Sequence, residues 1–194
     1  MLSADELQKL RASMEPSLFA ANYELAHIAS QDALFPEQPE RGADPALLRD
    51  GAAHLDAAYG GGDFTALTCG RIEGGRAYLY GRLWKKPVGE VTGDIIAECE
   101  RLMCGPILCE TNGDKGYLVR ELREKGAIVR PYAESMGKHL KIATWLRKWW
   151  KHITFIEGTD PAYIRQILDY SAEASHDDAP DSAASLLRYL DRRA

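Results

Sequence analysis

The chain is poor in the features that mark metal-thiolate, secreted and membrane proteins. Its four cysteines, Cys69, Cys99, Cys104 and Cys109, form no CxxC pair, and each lies in an apolar stretch, which predicts reduced core thiols and no zinc site. No run approaches the ~20 consecutive apolar residues that span a bilayer. The charged N-terminus MLSADELQKLR lacks the apolar core of a secretory signal. We therefore expect a cytoplasmic protein without a membrane partner.

A nucleotide-binding phosphate loop is also absent. No GxxxxGKS or GxxxxGKT sequence occurs in the 194 residues, so no loop of that kind holds a nucleoside triphosphate. With 45% hydrophobic and 27% charged residues, the composition is typical of a soluble globular protein and excludes collagen-like, coiled-coil and wholly disordered chains. The length suits one domain with a core. We predict N-terminal helices and a linker over 1–50 that pack on a domain over 51–194.

Charge is unevenly distributed along the sequence. The formal net charge is -5, which argues against a uniformly basic surface that binds nucleic acid. Between Glu134 and Glu157 there are five positive charges and no acid, whereas between Arg165 and Arg188 there are five acids and no Lys or Arg. A basic band therefore precedes an acidic cluster.

Apolar periodicity predicts an α/β fold with a mixed central sheet flanked by helices. Three strands over 54–60, 64–72 and 76–84 predict an antiparallel meander, and an amphipathic crossover helix over 87–104 follows it. Residues 35–50 are predicted as a loop running into a short turn. Short parallel strands and helices then alternate. These later strands cover 106–110, 127–134 and 153–158, and the helices cover 117–126, 137–152, 160–174 and 180–190, with two more helices within the first thirty residues.

Three groups of acids occupy positions where a charge is costly or needs a partner. Asp56 interrupts an apolar strand, Glu110 ends the apolar run PILC, and the run HDDAPDS opens the final helix. Each group has a structural alternative, because Asp56 and Glu110 could cap turns and the acids of the run could stabilise the helix N-terminus. Carboxylates that converge from separate strands, however, need a cation.

The donor atoms favour a hard divalent metal. Carboxylate oxygens without a Cys or His cluster indicate Mg²⁺ or Mn²⁺. Two such ions close together are suited to in-line attack on a phosphodiester bond. The acids therefore predict a two-metal centre.

Three motifs resemble the nuclease domain of the large terminase subunit of tailed bacteriophages, the motor that cuts and packages concatemeric genomes. They are DAAYGGGDFTAL, ILCETNGDKGYLVREL and HDDAPDSAA, and SLFAANYELAHIA resembles the segment that joins the domain to its ATPase. The resemblance implies a ribonuclease H-like fold and a metal-dependent endonuclease acting on concatemeric double-stranded DNA. The partners that it implies are double-stranded DNA, the terminase ATPase domain, the small terminase subunit and the portal, in the cytoplasm of the bacterial host during phage assembly.

The resemblance also implies which residues bind the metal. Carried over by motif, the catalytic and metal-binding acids are Asp56, Glu110, Asp178 and Asp181, with Asp63 as an accessory metal ligand. Asp177 shares a helical face with Asp181, as Asp178 does, so the choice within this run stays open. Because the phosphate loop is absent, the chain would be an excised domain or the product of a shortened gene.

A basic segment predicts the DNA-binding surface. The run GKHLKIATWLRKWWKHI interleaves tryptophans with basic residues, and a basic helical face contacts phosphates without reading sequence. Trp145 and Trp149 are assigned to a seam that faces the core. The alternative for the lysines is a solvated charged face. The residues predicted to contact phosphates are Lys138, Lys141, Lys148 and Lys151, the last three on one side of the helix.

Taken together, these features predict a divalent-metal-dependent endodeoxyribonuclease. One alternative is another ribonuclease H-like nuclease, such as a transposase core or a junction resolvase, of which the resolvase would prefer branched DNA. A second alternative is a non-catalytic DNA-binding module whose acids hold a structural metal. Metal-dependent nicking of a plasmid separates that module from an enzyme.

Overall fold

A seven-stranded mixed sheet forms the centre of the computed structural model, which describes residues 34–193. The order across the sheet is β1-β7-β4-β3-β2-β5-β6, and every neighbouring pair is parallel except β2–β3 and β3–β4. The predicted meander with parallel strands beside it is therefore confirmed. The helices predicted within the first thirty residues lie outside the described range. The strands are β1 (Glu40–Ala43), β2 (Ala52–Asp56), β3 (Thr65–Glu73), β4 (Arg76–Trp84), β5 (Ile107–Glu110), β6 (Val129–Tyr132) and β7 (Ile153–Ile156).

Strand β1 departs from the sequence prediction, which assigned 35–50 to a loop. Glu40–Ala43 pairs in parallel with β7 at the edge of the sheet, and Arg76 donates hydrogen bonds of 2.7 and 3.0 Å to the Glu40 carboxylate. The strand is exposed along most of its length, so it has no apolar alternation from which a strand could be predicted. The predicted short turn is present as the 3₁₀ helix Pro45–Leu48.

The helices form two layers, one on each face of the sheet. The first layer packs with Leu79 and Phe155 in one apolar core, and the second packs with Leu55 and Leu67 in the other. No helix within 34–193 is long and apolar enough to cross a bilayer. The second layer contains α1 (Thr92–Arg101) and α2 (Tyr117–Glu124), and the first contains α3 (the helical segment 138–152), α4 (Pro161–Leu168) and α5 (Asp178–Asp191).

Two predicted helices are shorter than expected. A separate 3₁₀ turn, Val88–Glu90, precedes α1, so the crossover helix does not begin at residue 87. Helix α4 begins as predicted, with the Asp160 side chain accepting a hydrogen bond from the Ala162 N–H, but it ends at Leu168. The close packing of α4 on the sheet requires Gly81 in β4, because a Cβ there would lie 2.1 Å from the Tyr163 ring.

Segment α3 is irregular in its middle. It begins as the α-helix Lys138–Lys141, continues as a π-helical stretch over Ile142–Leu146, and ends in α-helical and 3₁₀ turns. A π-helical stretch changes the phase of the residues that follow it, so the lysines of this segment do not share the predicted face. Lys141 is 1% exposed, whereas Leu140 is 60% exposed.

Candidate metal centre

Two of the predicted acids end neighbouring parallel strands. Asp56 is the last residue of β2 and Glu110 the last residue of β5, and Leu55 pairs with Cys109 one residue earlier. Paired residues in a parallel ladder point to the same face of the sheet. That face is the one covered by α5, since the buried His54 of β2, two residues before Asp56, lies 3.0 Å from the Ser182 hydroxyl.

The first turn of α5 brings the other two acids to the edge of the sheet that is formed by the C-terminal ends of β2 and β5. Asp178 and Asp181 are both buried, and the Phe64 N–H donates a 3.4 Å hydrogen bond to Asp178 Oδ2. Asp177 makes no side-chain capping bond; instead the Gln166 side-chain oxygen accepts a 2.6 Å hydrogen bond from the first turn of the helix. Capping therefore does not account for the buried carboxylates of this turn.

Burial and repulsion from neighbouring acids raise the pKa values of all four carboxyls. Burial, together with the charges of Asp181 and Asp178, raises the pKa of Asp56 from 3.8 to about 7. The pKa values of Glu110, Asp178 and Asp181 are also raised, in each case chiefly by burial. The acids of the two strands therefore lie close enough to those of α5 to feel their charge, and the nearby cations do not fully neutralise them.

A buried carboxylate oxygen of Asp56 lacks a hydrogen-bond partner. The residue is partly exposed as a whole, but Oδ2 is buried and accepts no hydrogen bond, which costs free energy. The atoms near it that could bind a metal are carboxylate oxygens, which are the ligands that Mg²⁺ and Mn²⁺ prefer. These residues therefore fit such an ion. Within 34–193, no three Asp, Glu, His or Cys side chains already form a coordination shell. Mutual repulsion of the carboxylates opposes such a cluster unless a cation is bound.

A buried ion network beside the acids includes Lys141, which the sequence assigned to DNA contact. Lys141 Nζ lies 2.9 Å from Asp181 Oδ1 and 3.3 Å from Glu134 Oε2. Arg188 donates two hydrogen bonds, of 2.9 and 2.6 Å, to the Glu134 carboxylate. Although burial opposes ionisation of Glu134, the contacts with Arg188 and Lys141 hold its pKa at about 2. The prediction that Lys141 contacts DNA phosphates is therefore wrong, because its ammonium group is enclosed and pairs with Asp181.

Glu134 is a site residue that the sequence analysis missed. It follows β6, the next parallel strand beyond β5, and Asn112 fixes it there through a 2.7 Å hydrogen bond to its carbonyl oxygen and a 3.3 Å bond from its N–H. The reasoning that singled out Glu110 at the end of a strand applied to Glu134 as well. No comparable sequence signal marked Lys141, since an isolated lysine in a helix is usually exposed.

The other predicted residues differ in their distance from the acids. Lys138 Nζ lies 2.9 Å from Asp177 Oδ1. Although burial lowers the pKa of Lys138, the Asp177 hydrogen bond and the charges of Asp56 and Asp181 raise it above its usual range. Asp63 is exposed on the loop between β2 and β3 and makes no hydrogen bond or ion pair with another residue of 34–193.

Two predicted DNA contacts lie elsewhere on α3, in surface ion pairs. Lys148 Nζ is 2.7 Å from Asp191 Oδ1, and Lys151 Nζ is 3.2 Å from Glu37 Oε1. Both lysines are exposed, but their charges are already matched by carboxylates. Trp149 of the same segment is buried, as the sequence predicted.

The raised pKa of Asp56 predicts a pH-dependent cost to stability in the metal-free protein. Between about pH 4 and pH 7 the folded state holds a proton on Asp56 that the unfolded chain releases, so the free energy of unfolding falls as pH rises. Asp56→Asn removes this contribution, and the variant should gain at most about 4 kcal/mol relative to the parent across that interval. Denaturant titrations with a chelator measure the difference. Asp63→Asn, which removes an exposed carboxylate, is the control, and an equal gain there would contradict the prediction.

Comparison with known proteins identifies the architecture. No family model and no curated protein matches the chain. The nuclease domain of the large terminase (g2p) from bacteriophage SPP1, with bound Mn, superposes with a TM-score of 0.58 at 16% sequence identity, over 80% of this chain and 95% of that chain. The chain has the fold of a large terminase nuclease domain. The resemblance stated from the motifs, and the ribonuclease H-like fold class, are confirmed.

Two further structures agree with this conclusion. The large terminase nuclease of thermophilic phage G20c with bound magnesium has a TM-score of 0.57 at 13% identity, over 82% of this chain and 98% of that chain. The large terminase of thermophilic bacteriophage D6E has a TM-score of 0.57 at 14% identity and covers 97% of this chain. This chain spans 53% of the length of the D6E protein. Its likeness to the nuclease structures covers most of their length.

Proposed function

We propose that this domain is a divalent-metal-dependent endodeoxyribonuclease of the large terminase type, which cleaves concatemeric double-stranded DNA. The observation that carries the proposal is the convergence of Asp56, Glu110 and the first turn of α5 at one edge of the sheet, with an unpartnered buried oxygen on Asp56. Metals bound in similar nuclease structures support the proposal: the SPP1 nuclease domain holds Mn, and the G20c nuclease holds magnesium.

The four acids Asp56, Glu110, Asp178 and Asp181 would hold two Mg²⁺ or Mn²⁺ ions, with Asp63 as an accessory ligand. When bound, such ions supply Lewis acidity for phosphodiester hydrolysis. The protein's own contribution is a rigid placement of the carboxylates on strand ends and a helix start, which reduces the reorganisation needed during reaction.

Within this centre, Lys141 positions Asp181. Its ammonium group is fixed between Asp181 and Glu134, and Arg188 in turn fixes Glu134. This arrangement favours the ionised form of Asp181 against the effect of burial. The Phe64 N–H likewise holds one oxygen of Asp178, so both acids of α5 are oriented before substrate binds.

Plasmid cleavage tests the proposal. The purified chain should nick and then linearise supercoiled plasmid with Mn²⁺ or Mg²⁺, and a chelator should stop the reaction. The same ions should raise the melting temperature, because they bind the folded site. Intact plasmid at millimolar Mn²⁺ would overturn the enzyme assignment, and a strong preference for branched DNA would favour a resolvase.

The wider assembly belongs to the same proposal. Double-stranded DNA would be the substrate, and a terminase ATPase domain, the small terminase subunit and the portal would be the partners, in the host cytoplasm. Lys138, Lys148 and Lys151 would contact DNA phosphates from α3. Because each of them has a carboxylate partner, each phosphate contact would have to replace an existing ion pair.

A further inference from the structure

A groove of about 310 Å³ lies beside the metal centre, and of its lining residues only Arg188 has a part in the proposed function. Leu108 of β5 and Tyr132 of β6 contribute to its lining, together with Tyr189 on the second half of α5. Four arginines also line it, and we call it the arginine groove. They are Arg130, Arg188, Arg192 and Arg193.

The arginine groove adjoins the acids directly. Tyr132 pairs with Glu110 in the β5–β6 register, and Leu108 lies two residues before Glu110, on the same face of the sheet. At this end of the groove, Arg188 binds Glu134, the residue that also contacts Lys141. From this end the groove follows α5 toward the C-terminal end of the helix. A ligand that fills the whole groove would therefore have one end beside the carboxylates.

Three of the four arginines carry charge that is not neutralised nearby. Arg188 is committed to Glu134, but Arg130, Arg192 and Arg193 make no ion pair with any residue of 34–193. Arg192 and Arg193 are exposed, and so is Arg130 on β6. In a chain with a formal net charge of -5, this local excess of positive charge would attract a polyanion to one place on the surface.

Tyr189 preorganises two of these guanidinium groups. The Arg130 guanidinium lies 5.6 Å from the centre of the Tyr189 ring, and that of Arg193 lies 5.1 Å from it. Arg193 also donates a 3.0 Å hydrogen bond to the Tyr189 hydroxyl. Contact with an aromatic face leaves guanidinium N–H groups free to bind phosphate. Side chains that are already ordered lose less entropy when they bind a ligand.

We propose that the arginine groove binds the phosphate backbone of duplex DNA next to the cleavage centre, an inference that rests on the proposed nuclease function. Guanidinium groups match phosphate oxygens with paired hydrogen bonds. Contacts restricted to phosphates do not read sequence, which suits an enzyme that cuts at many positions. The groove thereby places a DNA strand beside Glu110 and Glu134. The lysines of α3 are less available for that strand, because each of them already has a carboxylate partner.

Binding of a fluorescent duplex of mixed sequence tests the proposal, with anisotropy measured across a salt series in chelator so that no cleavage occurs. R130Q/R192Q/R193Q should bind at least about tenfold more weakly at low salt, and its slope of log affinity against log salt should be smaller by about 2 to 3. The control R71Q/R101Q should bind nearly as the parent does, because Glu73 and Glu98 already neutralise those two surface arginines.

An unchanged affinity and salt slope in R130Q/R192Q/R193Q would overturn the proposal. If that variant melts earlier than the parent, R192Q replaces it, since the Arg192 side chain makes no hydrogen bond or ion pair with residues 34–193, and its slope should fall by about 1. Competition by polyglutamate as strong as by DNA of equal charge would also overturn the phosphate assignment. Binding through the groove without metal-dependent cleavage would instead contradict the nuclease function, and cleavage without groove-dependent binding would contradict the groove alone.

Discussion

Asp56→Asn and Glu110→Gln should each lower metal-dependent plasmid cleavage by at least about a thousandfold. Each substitution replaces one anionic oxygen ligand with an amide and keeps the side chain's size, so it removes charge where the proposed ions bind. A thousandfold loss corresponds to about 4 kcal/mol of transition-state stabilisation. Initial rates of plasmid nicking, measured with Mn²⁺ and with Mg²⁺, give the comparison.

The melting temperature shows whether a variant has lost cleavage because its metal ligand is gone or because it is unfolded. Asp56→Asn should melt at or above the parent's temperature in chelator, because it removes a buried carboxylate whose pKa is raised. Asp94→Asn is the control, since Asp94 lies in the first turn of α1, in the helix layer on the opposite face of the sheet, and it should cleave as the parent does. Cleavage by Asp56→Asn within tenfold of the parent would remove Asp56 from the centre.

Lys141→Met should lower the free energy of unfolding by about 3–5 kcal/mol at neutral pH. The substitution preserves an unbranched side chain but removes the buried cation that pairs with Asp181 and Glu134. Removing one partner of a buried ion pair leaves the other charge uncompensated, which costs far more than breaking a surface pair. Arg188 still neutralises Glu134, so most of the loss falls on Asp181. Equilibrium denaturation in chelator measures the loss.

Lys148→Met provides the matched control within the same helical segment. Its side chain is 54% exposed and pairs with Asp191 on the surface, so we expect a loss of only about 0–1 kcal/mol. Divalent ions should restore part of the stability of Lys141→Met, since a bound cation would neutralise Asp181. Equal losses in the two variants would contradict the burial-based account of Lys141.

Most of the order of strands and helices could be predicted because it depends on the local spacing of apolar residues. Apolar alternation predicted the meander, and helical spacing predicted the crossover helix, both of which the structure contains. The pattern failed at β1, an exposed edge strand whose only neighbour is β7. Such a strand depends on pairing with a distant part of the chain and on few side-chain preferences, so its sequence carries little information about it.

The sequence singled out Asp56, Glu110, Asp178 and Asp181 through their positions at strand ends and a helix start, and the fold gathers them around one sheet edge. Helical periodicity placed Lys141 on one face with Lys148 and Lys151. The π-helical stretch Ile142–Leu146 lies between Lys141 and the later two lysines and shifts their phase, so Lys141 is buried while those two are exposed.

The sequence by itself determined the α/β order of elements and the acids available for metal, because local spacing sets both strand ends and helix starts. Only the tertiary structure decided which charges are enclosed, since that depends on how α3, α5 and β6 pack together. It enclosed Lys141 against Asp181 and Glu134, and it left the three arginines of the groove without carboxylate partners among residues 34–193. Charge neutralisation is a property of distances between remote segments, and no local pattern records those distances.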